Sequence, residues 1–133
     1  MREILFKGKA INRDDGREYR TNYKNGDWVY GLISNIMEVY NLAKMTNEDG
    51  ITNIEVDINT ICQFTGKSDK QGNRVFENDI LEFEFEDIGK QRAVVYYNDK
   101  YCGFLLKVIT DNFQFAQIED GIVVGNIFER TNK

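Results

Sequence analysis

"ILEFEFED", residues 80 to 87, alternates apolar and acidic side chains one for one, with Leu81, Phe83 and Phe85 set between Glu82, Glu84 and Glu86. A period of two sends successive side chains to opposite faces of a pleated ribbon, so the stretch reads as a strand with one apolar and one solvated face. Downstream, "DIGK" (87 to 90) carries the glycine of a tight reversal and "RAVVYY" (92 to 97) resumes with β-branched and aromatic residues. Residues 80 to 97 therefore read as a hairpin. A second reversal at "NDK" (98 to 100) leads into "YCGFLLKVI", and a third at "EDG" (119 to 121) separates "FQFAQI" from "IVVGNIF".

Upstream the alternation is weaker. "REILFKGKA" and "WVYGLI" read as strands around a polar reversal from about Asn12 to Asp27, rich in Gly, Asn and Asp. "NIMEVYNLAKM" is ambiguous, because Ile36, Val39, Tyr40 and Ala43 also fit a helical stripe. Strand is the expectation there, since "TNEDG" (46 to 50) and "ITNIEVDI" complete a hairpin; one short helix over 34–45 is the alternative. The fold expected is mainly β, with antiparallel hairpins forming a small barrel or half-barrel and at most one or two short helices. A chain of 133 residues makes one domain over 1–133 the first expectation, with 1–60 and 61–133 as a possible subdivision. There is no proline, so edge strands must be managed by charge, by closure or by pairing with another subunit.

The acidic strand is preceded by "GKSDKQGNR" (66 to 74), whose Gly-Lys-Ser matches the end of a phosphate-binding loop. Such a loop needs an earlier glycine at position 61, where Ile61 stands, and a helix running on from its end. Asp69, Gly72 and Asn73 interrupt any helix there. Asp69-Lys70-Gln71-Gly72 instead has the composition of a β-turn with glycine at its last position.

Composition narrows the chemistry. There is no histidine, and Cys62 and Cys102 are the two cysteines, which removes the usual N/S ligand sets for zinc or haem. No cofactor or metal is expected. The N-terminus has no apolar run of signal-peptide length and no segment is long enough to span a bilayer, so a cytoplasmic protein without membrane contact is expected. The net charge is −5, but residues 1 to 25 carry seven basic against four acidic side chains, leaving ten against eighteen and a net of −8 for the rest. A phosphate-backbone binder gains affinity by replacing counterions with Lys and Arg. Here only a local patch could do so.

Three separated motifs carry a resemblance: "GDWVYGLI" at 26 to 33, "INTICQFTGKSDKQGNRVFENDILEF" at 58 to 83, and "VVGNIFE" at 123 to 129. In this order they resemble the YopX family of phage and prophage proteins, with its Trp-Val-Tyr-Gly strand, Thr-Gly-x-x-Asp-x-x-Gly loop, Asp-Ile strand and terminal Gly-Asn-Ile-aromatic-Glu. Asn78 stands where the family commonly has glycine, which implies a left-handed backbone at that position. Cys62 departs from a position usually small or polar. The resemblance implies a β-rich protein of phage or prophage origin in a bacterial host cell, with no established activity and no catalytic residues to carry over.

Three functional readings follow, in this order. The first is a non-enzymatic accessory protein that acts by protein contacts, with a host or phage protein or with itself, and forms a homo-oligomer through strand edges. Trp28 and Tyr30, on one strand face, would serve as core or interface anchors. The second is nucleic-acid binding through the loop at 67–74, with Lys67, Lys70 and Arg74 on phosphates and Tyr96, Tyr97 and Tyr101 as stacking surfaces. The third is a carboxylate or metal-dependent enzyme built on Glu82, Glu84 and Glu86. Same-face residues on one strand lie nearly 7 Å apart, too far to converge on one ion, and a solvated face neutralised by Lys90 and Arg92 is the simpler reading.

Overall fold

The computed structural model describes residues 4–12, 23–108 and 116–129. They form ten strands: β1 (Phe6–Lys9), β2 (Trp28–Met37), β3 (Leu42–Asn47), β4 (Ile54–Asp57), β5 (Cys62–Ser68), β6 (Arg74–Phe76), β7 (Asp79–Phe85), β8 (Gly89–Asn98), β9 (Gly103–Val108) and β10 (Ile122–Asn126). Three single 3₁₀ turns, at Glu38–Tyr40, Ile58–Thr60 and Ile118–Asp120, are the helical elements among the described residues. The mainly β, antiparallel expectation holds. The chain divides into two compact units, one running to Gln63 and one from Phe64 onward.

In the first unit β4, β3, β2 and β1 lie side by side in that order, all antiparallel, and the first residues of β5 pair with β1. Along β2, Val29 and Ile33 face a core with Ala10, Ala43, Met45, Ile54 and Val56. Trp28, Tyr30 and Leu32 fall on the other face, as the period of two requires. The sheet curls until its outer strands touch: Ala10 bridges Val56, and the Ile11 amide donates to the Glu55 carbonyl at 2.9 Å. Among the described residues closure stops at that one bridging pair, so they form a half-barrel and not a closed barrel. Gly31 makes the curl possible, since a Cβ there would overlap the Thr46 carbonyl of β3.

The ambiguous segment resolves into a hairpin. β2 continues to Met37, Glu38–Tyr40 makes a single 3₁₀ turn, and β3 returns in register, Met37 opposite Leu42 and Ile36 opposite Ala43. Asn41 takes the left-handed φ of 55° that lets the turn end in so few residues. The apolar positions that mimic a helical stripe are the two arms and tip of this hairpin, and the cross-strand hydrogen bonds of β3 with β2 and β4 override the local pattern.

In the second unit the order is β10-β7-β8-β9, again antiparallel throughout. The strand that decided the fold behaves as its alternation predicts: Leu81 and Phe83 are buried with Val75, Ala93, Val95 and Ile118, and Phe85 packs against that core. Each such large apolar side chain removed from water contributes about 1.5–3 kcal/mol. On the opposite face Glu82 stands across from Arg92 and Glu84 across from Lys90. The reversal expected at 119 to 121 takes the form of a 3₁₀ turn at Ile118–Asp120, after which β10 pairs with β7. Residues 113–115, half of "FQFAQI", lie outside the described residues.

Candidate functional site

The loop between β5 and β6 carries the cations that sequence reading singles out. Asp69 opens the turn, with the Gly72 amide donating to its carbonyl at 3.0 Å, as a four-residue β-turn requires. β5 runs to Ser68 and the turn follows at once, so no helix starts there and no phosphate cradle forms. Gly66 and Gly72 adopt φ of 83° and 86°, positions at which a side chain would be strained.

The centre of this loop is an anion, not a cation. One oxygen of the buried Asp69 carboxylate accepts the backbone amides of Gln71 (2.9 Å) and Asn73 (2.8 Å). The other accepts the Asn73 side-chain amide (3.2 Å) and the backbone amide of Val123 in β10 (2.9 Å). Burial pushes the carboxyl pKa up, but the hydrogen bonds from Val123, Asn73 and Gln71 outweigh it and hold Asp69 below the usual range. The Lys70 amide adds a bond to the Gly121 carbonyl at 2.9 Å. Asp69 thereby fastens the loop to β10.

Around that anion the three cations do not act together. The Lys67 ammonium lies 3.2 Å from the Glu119 carboxylate, which neutralises it locally, whereas Lys70 and Arg74 are exposed. With Asp69 and Glu119 included, the loop's formal charge falls from the +3 of its cations to +1.

A second buried carboxylate joins the remaining motifs. Asp79 accepts the Phe76 amide on one oxygen (2.8 Å) and the Asn126 side-chain amide on the other (2.9 Å). Asn126 in turn accepts the Phe128 amide at 3.0 Å. Asn78, just before, has φ of 69°, the left-handed backbone its place in the motif implies. Its amide donates to Val95 and its carbonyl accepts from Ile127, at 2.7 and 3.1 Å. These two aspartates bind backbone and amide groups of their own chain, so the motif residues are accounted for as a clasp between β5–β7 and β10.

Trp28 and Tyr30 lie in the first unit, on the sheet face away from its core. Trp28 is half-buried, with the Lys7 and Lys9 ammonium groups 4.5 and 4.9 Å from its ring centroid, an arrangement worth about 0.5–2 kcal/mol for each cation. Tyr30 and Leu32 remain exposed beside it. In the acidic row, Glu82 pairs with Arg92 at 3.1 Å and approaches Lys90 at 3.8 Å, which supports the solvated-face reading. Among the described residues no three Cys, Asp or Glu side chains gather as a metal site, and no helix is long and apolar enough to cross a membrane.

Sequence reading missed two features. Glu119 as the partner of Lys67 is fifty-two positions away and has no local signal. The tip of the β2–β3 hairpin leaves Ile36, Val39 and Tyr40 outward, with Val39 90% exposed; their one local sign is the helix-like spacing that made the segment ambiguous.

No curated protein matches the chain. The family model described as YopX protein matches residues 14–133, a span that holds all three motifs. With the family's loop, Asp-Ile strand and Gly-Asn-Ile segment hydrogen-bonded into one clasp, the chain belongs to the YopX family.

Proposed function

We propose that this protein is an accessory protein of a phage or prophage that works by protein contact rather than by catalysis, and that it associates with copies of itself. The observation that carries this reading is the margin of the second unit at β9. Its sequence, GFLLKV, contains one charge and no proline, and among the described residues β9 pairs with β8 alone. Leu105, Val108 and the neighbouring Tyr97 and Tyr101 are exposed there. An apolar edge strand without such guards as several lysines, a proline or a bulge favours a further chain. Light scattering coupled to gel filtration tests the reading across a concentration series. Concentration-dependent mass above 15.5 kDa is expected, and a strict monomer at the highest concentrations refutes it.

A further inference from the structure

Two surface features of opposite shape stand out. The first is the tip of the β2–β3 hairpin, where Ile36, Val39 and Tyr40 are 55%, 90% and 66% exposed and Glu38 is the acidic residue of the turn. The second is an open groove of about 760 Å³ in the second unit, lined by Asn78, Val94, Tyr96, Lys107, Val108 and Ile127. Its walls are mainly apolar and Lys107 supplies its one formal charge. The groove lies at the β9 margin on which the proposed self-association rests.

We infer that the occupant of this groove is the hairpin tip of a second copy, with Val39 and Tyr40 seated against Val94, Tyr96 and Ile127, and Glu38 facing Lys107. Two observations favour this occupant over an unrelated one. Tip and groove carry opposite single charges, which fixes the orientation of docking even where the pair adds little affinity. The tip also presents the exposed Tyr40 on a single 3₁₀ turn, an aromatic anchor of the type that dominates contact energies when it enters an apolar pocket, and Val39 beside it adds apolar area. Val39 is nearly fully exposed, which leaves its side chain available to a partner. The contact is heterologous, tip to groove, and each copy offers one of each. Assembly then closes on itself, as a reciprocal pair or a larger ring, or grows as a chain.

This inference rests on the self-association reading, and a pairing experiment separates the two. Val39→Asp removes the tip anchor and Ile127→Asp puts a charge in the groove; both side chains are exposed in the monomer, and circular dichroism checks that each variant folds. Each alone should weaken association by roughly tenfold or more, the factor expected from losing one anchor of about 1.4 kcal/mol. Mixed in equal amounts, the variants retain one intact groove and one intact tip and should form a 1:1 complex that grows no further. The exchange of charges gives a second check: Glu38→Lys and Lys107→Glu should each weaken association, and the double variant should recover it to within roughly threefold of the original. Wild-type protein that associates while Val39→Asp associates equally well, or a mixture that stays monomeric, overturns the tip-in-groove contact alone. A wild-type protein that never associates overturns the self-association reading with it.

Discussion

Asp69 shows what one side chain does in this protein. Four donors converge on its carboxylate from the turn and from β10, so Asp69→Ala leaves amides without partners and should cost about 2–3 kcal/mol in chemical denaturation. Because the folded carboxyl titrates below the ordinary Asp value of about 3.9, its stabilising contribution is complete above that value and is lost as the pH falls through the lowered one. The stability gap between wild type and Asp69→Asn, measured by denaturation at several pH values, should therefore be widest near neutrality and close in acid; a gap that widens in acid contradicts this account. Asn78 is the second test at this scale. Its left-handed backbone predicts that Asn78→Ala costs about 1 kcal/mol while Asn78→Gly is close to neutral in the same assay.

At the level of the element, β2 and β7 contrast. β7 is specified by its own alternation, and its register with β8 places each glutamate opposite a basic or polar residue. β2 depends on a neighbour: Gly31 permits the approach of β3, and a Cβ would collide with backbone rather than with a movable side chain. Gly31→Ala should accordingly destabilise the protein by about 3 kcal/mol or more, read as a lowered denaturation midpoint. The segment from Asn35 to Met45 belongs here as well. Its apolar spacing serves two geometries, and the hydrogen bonds that β3 makes on both sides select the strand.

For the whole molecule, charge is the property with reach. An excess of acidic side chains outside the first 25 residues, and a basic loop whose Lys67 is spent on Glu119, predict no measurable affinity for single- or double-stranded DNA at low salt. Electrophoretic shift or fluorescence anisotropy checks this, and binding that weakens on neutralising Lys70 and Arg74 would restore the nucleic-acid reading. What the sequence by itself determined is whatever is encoded within a few residues: the two-residue period of 80–87, the glycine and asparagine bends with their left-handed backbones, the turn at Asp69–Gly72, and the three motifs that mark the family. The tertiary structure alone decided that the first sheet curls to a half-barrel, that β10 joins β7, that Asp69 reaches Val123 and Lys67 reaches Glu119, and that Val39 and Tyr40 face water. Alternation and turn chemistry act between adjacent residues, whereas these contacts join positions tens of residues apart, or depend on which face a neighbouring strand covers, and no local pattern of side chains encodes either.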